Sequence, residues 1–291
     1  MNGTSPLAEA GSKAGTLIEA LPYIRSYRGQ TVVVKIGGEA LDDPAHSRLV
    51  AEDLALLSLV GIRLVIVHGG GPQVTTAMAA AGREARFVSG LRVTSEEDIT
   101  IVQQVLIGTI NAGLVGRLVA VGLSAVGLSG IDGRLIEATV KKGPAGEDLG
   151  RVGEPVSVRP DLVRSLLAED HTPVVASVAL DREGGVLNVN ADSAAGAIAG
   201  SLGAAKLVYL TNVEGLYRDL GDAGSLLSEL KVGELATMCA GLSEGMRPKA
   251  SSAVDALRQG VGKVHILDGR VPHALLLEIF TDHGIGTQVL P

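Results

Sequence analysis

Two glycine clusters and two lysines define the chemistry this chain is equipped for. "KIGG" (35–38) and "VHGGG" (67–71) each follow an apolar run. Glycine at a strand end costs backbone entropy, so either the turn needs unusual dihedrals or a guest comes very close to the backbone. Gly37, Gly38, Gly70 and Gly71 can offer N–H groups with no Cβ in the way. Pro72 falls where a first helical residue would, adding the positive end of a helix dipole. The natural guest is an anion, a phosphate in transit, and Lys35 directly precedes one cluster. For one glycine pair a merely tight turn is the better reading; two clusters at neighbouring strand ends favour the anion. Neither matches G-x-x-x-x-G-K-[ST], and no G-x-G-x-x-G follows a first strand, which disfavours a P-loop enzyme and a dehydrogenase.

Three further pieces join them. Arg92, in the loop "SGLRVTSEED" (89–98), is a natural carboxylate clamp, because its fork binds two oxygens at once. Taken alone, a solvated surface arginine is the simpler reading. In "LNVNAD" (187–192), Asn188 and Asn190 share a face at strand spacing, which suits a ligand that both donates and accepts; turn-forming asparagines fit equally well. Lys249 falls near the start of a helix in "EGMRPKASSAVDAL" (244–257), where the dipole disfavours a cation, so it is either held for an anionic guest or solvated. The six histidines form no metal-ligand spacing, His68 reads as structural, and Cys239 has no evident partner.

The elements that must position these groups follow from periodicity. "TVVVKIGG", "RLVIV", "TPVVAS", "AKLVYLT" and "GKVHIL" are buried strands, and "RLVAEDLALLSLVG" (48–61) between the first two makes a βαβ unit. "SEEDITIVQQVLIGTINAGLVGRLVAVG" reads as a long helix behind a Ser cap, and "ADSAAGAIAGSLG" as a small-residue helix. "GRLIEATVKK" and "GGVLNVN" read as hairpin strands. The predicted fold is α/β, an open, mainly parallel sheet with helices on both faces, in which a lobe boundary would fall near residue 200. In such sheets ligands bind beyond the carboxyl ends of the strands, where both glycine clusters sit. The 291 residues suffice for that, and with no Trp and two Phe the core must be aliphatic. A net charge of -7 argues against nucleic acid and against a basic membrane anchor. One cysteine, no signal-peptide pattern and no apolar run judged long enough to span a bilayer predict a soluble, cytoplasmic protein. Residues 1 to about 15 read as loose, and "TLIEALPYIRSY" as an amphipathic helix kinked at Pro22.

The order KIGG, VHGGG, SGLRVT, NVNAD, GMRPK resembles the amino-acid kinase family and, within it, the acetylglutamate kinases, from about Tyr27 to Pro291. The resemblance implies an αβα sandwich with an acylamino-acid lobe at 28–200 and a nucleotide lobe at 201–291, preceded by an extension at 1–27. It implies transfer of the γ-phosphoryl of ATP, bound with Mg2+, to the side-chain carboxylate of N-acetyl-L-glutamate in arginine biosynthesis. Lys35 and Lys249 would flank the phosphoryl group, Gly38 and Gly71 would cradle it, and Asp192 would hold the lysines. Arg92, Asn188, Asn190, Gly70 and Gly71 would bind the acceptor. Gly37, Thr211, Asn212, Gly215, Gly245, Met246 and Lys249 would bind the nucleotide. The family usually has Asp where this chain has Asn212, and a hydrophobic residue where it has Arg247.

The two chain ends resemble the arginine-inhibited type, in which an N-terminal helix links dimers into a hexamer, a trimer of dimers. L-arginine would then lie between that helix and 270–287, with Lys206, His273, Glu278 and Gly284 as contacts. A PII-type signalling protein docks on some relatives. The rival readings are a sister kinase acting on an aminoadipate-type substrate and a non-catalytic arginine or nucleotide sensor; a sensor would have no use for both lysines.

Overall fold

The computed structural model describes residues 6–37, 43–219, 221–243, 245–281 and 284–291. Its first half runs α1 (Pro6–Tyr27), β1 (Thr31–Ile36), α2 (Pro44–Leu59), β2 (Arg63–His68) and α3 (Gly71–Ala80). There follow a short ribbon, β3 (Phe87–Val88) and β4 (Leu91–Arg92), the long helix α4 (Asp98–Ala120), and β5 (Ala125–Ser129). A four-stranded closed barrel contains β6 (Ile136–Lys142), β7 (Asp148–Val158), β9 (Val178–Leu180) and β10 (Val186–Val189). Between its second and third strands lie α5 (Asp161–Ala168) and β8 (Thr172–Ala176). The remainder is α6 (Ala191–Leu202), β11 (Lys206–Thr211), β12 (Glu229–Lys231), α7 (Val232–Met238), α8 (Arg247–Arg258), β13 (Val264–Asp268), α9 (Ala274–Phe280) and β14 (Thr287–Leu290).

Eight strands form one sheet in the order β12-β14-β13-β11-β1-β2-β8-β5. From β13 to β5 every neighbour is parallel, and β14 is antiparallel to β13. The chain leaves β1 towards β2 and later returns to its other side at β11, so strand order reverses at β1. Ligand crevices open at such a reversal, beyond the carboxyl ends. The strands are β-branched and buried because helices cover both faces.

Pleating decides which side chain meets which helix. Val33, Val65, Val67, Leu207 and Tyr209 pack with α6 and α8 residues such as Ala195, Ile198, Ala253 and Leu257. Val32, Val34, Ile36, Leu64, Ile66 and Val208 pack with Leu54 of α2, Leu114 and Leu118 of α4, and Leu275 of α9. Lys35 therefore falls on the α6–α8 side and His68 on the α4 side. A third cluster, with Val74, Met78, Val102, Leu106 and Ile110, joins α3 to α4.

Two expectations need correction. Of the segment read as loose, residues 1–5 lie outside the described residues and 6–15 are helical: α1 begins at Pro6 and runs through Pro22 to Tyr27. The helix Asp98–Ala120 is, by length and composition, apolar enough to cross a bilayer, contrary to the reading that no run would be. It packs on the sheet, with fewer than half of the residues in its most apolar stretch buried within the chain.

Candidate active site

Asp192 joins the two lysines. It lies in the first turn of α6, whose N-cap is Asn190; the Asn190 side-chain oxygen accepts from the N–H groups of Asp192 (2.8 Å) and Ser193 (3.2 Å). Lys35 Nζ, near the end of β1, is 2.9 Å from Asp192 Oδ1. Lys249 Nζ, near the start of α8, is 2.9 Å from Oδ2. Burial alone would raise the Asp192 carboxyl; Lys249 and Lys35 outweigh it and hold it well below the carboxylate range. Burial lowers the pKa of Lys249, which is 5% exposed and no solvated lysine. Its ammonium also sits 5.1 Å from the Tyr209 ring centre.

Small residues bring α8 this close. A Cβ on Gly196 would come 2.3 Å from Ser252 Oγ, and one on Gly200 2.2 Å from Gln259 Oε1. Ser252 Oγ in turn donates to the Asp192 carbonyl at 2.6 Å. The small-residue run of α6 is thus the docking face for the helix that carries Lys249.

Two cavities share Lys35 and Asp192 as their common wall. The first, of about 210 Å³, is lined by Gly69, Gly70, Gly71, Arg92, Asn188 and Asn190, among others. Arg92 belongs to β4 rather than to a loop, and it is buried. Its Nη2 donates to Gly71 O and to Thr75 Oγ1, both at 2.7 Å, and its guanidinium lies 4.7 Å from the Phe87 ring centre. Asp98, the acidic group whose field reaches it, is bonded to Arg83 and Ser95 instead. Asn188 Nδ2 donates to Thr94 Oγ1 at 3.1 Å. Sequence reasoning missed Ser177 and the apolar wall of Val74, Val102, Leu106 and Val152.

The second cavity, of about 350 Å³, is lined by Gly37, Pro72, Thr211, Asn212, Val213, Ser243, Gly245, Met246 and Lys249 besides the shared pair. Gly215 is not part of it: a Cβ there would meet Thr287 Oγ1 at 2.5 Å, so its smallness serves packing. Gly38 lies outside the described residues.

A third cavity, of about 410 Å³, lies between the α1 end and the C-terminal segment, with Tyr23, Tyr27, Lys206, Glu278 and Gly284 in its lining. Lys206 is buried 3.7 Å from Glu278 and 5.1 Å from the Tyr27 ring centre; burial pushes its ammonium down to about 8. His273 is elsewhere, with Nδ1 2.6 Å from Asp53 of α2. The histidine at Glu278 is His265, with Nδ1 2.5 Å from Oε1. Strand parity in "KVHIL" was the available signal, because it turns His265 towards α9.

Two cavities that share Lys35 and Asp192, the second with Lys249 besides, at the reversal of a parallel sheet, suit a phosphotransferase architecture. The family model described as "Amino acid kinase family" matches residues 30–268. An acetylglutamate kinase of Pelotomaculum thermopropionicum is 48% identical over 95% of this chain and 97% of its own length. The N-acetylglutamate synthase of Neisseria gonorrhoeae, solved with coenzyme A and N-acetyl-glutamate, is 33% identical with a TM-score of 0.84; the match covers 96% of this chain and 63% of the synthase. The same synthase with coenzyme A and L-arginine gives 31% and 0.80, over 95% of this chain and 65% of the synthase. The chain belongs to the amino acid kinase family and, within it, to the acetylglutamate kinases.

Proposed function

We propose that this chain transfers the γ-phosphoryl group of ATP to the side-chain carboxylate of N-acetyl-L-glutamate, and that L-arginine inhibits it from the third cavity. The observation that carries the reading is the Lys35–Asp192–Lys249 bridge, of which Lys35 and Asp192 line both cavities and Lys249 the second. A carboxylate is already nucleophilic, so no general base is required. Catalysis reduces to aligning two anions and neutralising charge on the group between them. Arg92 and the two asparagines suit an acylated amino acid, whose α-carboxylate asks for a fork and whose amide asks for donor and acceptor together. The nucleotide fits the second cavity, with Lys249 at its phosphate end. Mg2+ enters as part of the nucleotide substrate and stays on its phosphates, since both Asp192 oxygens are occupied by lysines.

The inhibitory reading rests on Glu278, a buried carboxylate able to face a guanidinium, and on Tyr23 and Tyr27 from the N-terminal helix. The gonococcal synthase solved with L-arginine adds support through its shared fold. Hydroxylamine trapping of the acyl phosphate, with and without L-arginine, tests both parts. Hydroxamate that arginine suppresses is the expected result. Hydroxamate indifferent to arginine removes the inhibitory part, and none with N-acetyl-L-glutamate removes the substrate.

A further inference from the structure

His68 ends β2 with its ring on the α4 side, fully buried, opposite the face that carries Lys35. Its Nδ1 lies 3.0 Å from Gly69 O. A carbonyl only accepts, so Nδ1 holds the proton and Nε2 is left as the acceptor. Asn111 Nδ2 approaches that Nε2 at 3.0 Å. The same amide reaches Val174 O of β8 at 2.8 Å and Leu128 O of β5 at 3.2 Å. Burial lowers the His68 pKa to about 4, which keeps the ring neutral, and these two partners set its tautomer.

Three features of the sequence are arranged around this pair. Asn111 closes the π-helical stretch Gln104–Asn111 of α4, and such widened turns inside α-helices recur at functional sites. Gly127 stands in the middle of β5, where a side chain would be expected; a Cβ there would lie 2.3 Å from Asn111 Oδ1. Gly70 is pressed by the same stretch, since a Cβ on it would come 2.1 Å from Ile110 Cδ1 and 2.9 Å from Leu106 Cδ2.

We propose that His68 and Asn111 are a positioning pair that sets the Gly69–Gly71 backbone for phosphoryl transfer. A peptide unit is planar, with its C=O and N–H pointing opposite ways. Fixing Gly69 O on the His68 ring therefore fixes the Gly70 N–H, which points away from that ring. On the other side Arg92 holds Gly71 O. The turn that borders Lys35 and Asp192 is thus anchored at both ends to rigid elements, and its amides meet the reacting anion already oriented. A satisfied core histidine would need no contact to this loop and no glycine cut into β5. The inference rests on the reading that this loop flanks the transferred group.

The test compares His68→Phe, Asn111→Ala, Gly127→Ala and the Asn111→Ala/Gly127→Ala pair in the full-length enzyme, well below each melting temperature. His68→Phe and Gly127→Ala should each lower kcat at least about tenfold with KM for ATP within about twofold. Gly127→Ala should cost nothing further beside Asn111→Ala, because the shortened side chain makes room for the new methyl. A folded His68→Phe enzyme with wild-type kcat overturns the proposal. So does a Gly127→Ala loss that persists undiminished beside Asn111→Ala. If His68→Phe does not fold, the Gly127 pair decides alone, from a strand that does not line the cavities. Each comparison is made against wild type with whichever carboxylate acceptor it phosphorylates, so a wrong acceptor assignment shows in wild type and a wrong positioning role shows only in the variants.

Discussion

Asp192 has both carboxylate oxygens engaged by lysines. Asp192→Asn would leave Lys35 and Lys249 as neighbouring cations with no counter-charge between them. Breaking a buried pair costs about 3–5 kcal/mol, and a loss near the lower end is expected in denaturant melts, with kcat down at least about a hundredfold. Because ATP itself brings negative charge, its thermal shift should be larger in this variant than in wild type. The Asp192 pKa is depressed, so its stabilisation is fully present above the ordinary carboxylate range and is lost progressively as the pH falls below that range towards the folded pKa. His68 behaves differently. Its folded pKa of about 4 lies below the ordinary 6.5, so between those values the unfolded chain binds a proton that the folded chain does not. Stability is unpenalised above pH 6.5 and falls towards pH 4, by an amount on the order of 3 kcal/mol. Removing the imidazole in His68→Phe should flatten this part of the curve. Urea melts of both proteins at about pH 5 and pH 7 check it; parallel slopes would count against a neutral buried ring.

At the scale of elements, the strands that end at the site were legible because they are β-branched runs closed by glycine. Lys35 and the glycines follow from them, whereas Asn190, read as a ligand-facing or turn residue, is the cap of α6. Other features need a partner the sequence does not display. The small residues of α6 announce a helix but not that Ser252 of α8 and Gln259 just after it fill the spaces at Gly196 and Gly200. His273 was read beside Glu278; strand parity and the position of α9 put His265 there instead. The ribbon β3–β4 was missed for a simpler reason: two residues per strand show no period. That ribbon nevertheless covers the acceptor cavity, with Phe87 52% exposed and its ring beneath Arg92. A cation–π contact at such a site is worth about 0.5–1 kcal/mol. Phe87→Ala should therefore raise KM for the acceptor roughly threefold to fivefold with kcat little changed. A fall in kcat at constant KM would place the ribbon in the chemical step instead.

For the whole molecule, apolar surface points beyond one chain. The α1 helix turns Leu17, 71% exposed, and Ile18, 65% exposed, into solvent, while α4 leaves Val119 uncovered. Exposed apolar groups gathered on one helix mark a contact surface. The α1 end also supplies Tyr23 and Tyr27 to the cavity of Lys206 and Glu278, so any assembly through α1 would share an element with occupancy of that cavity. Two ligands that bias one element are coupled reciprocally. If α1 joins dimers, Leu17→Gln with Ile18→Gln should lower the solution mass by light scattering from a hexamer to a dimer. The active site should be spared, because neither residue lines the two catalytic cavities. Arginine should then inhibit less strongly, since a helix released from its neighbour holds Tyr23 and Tyr27 less firmly over the cavity. An unchanged mass would remove α1 from the assembly, and a smaller oligomer with unchanged arginine sensitivity would separate assembly from inhibition.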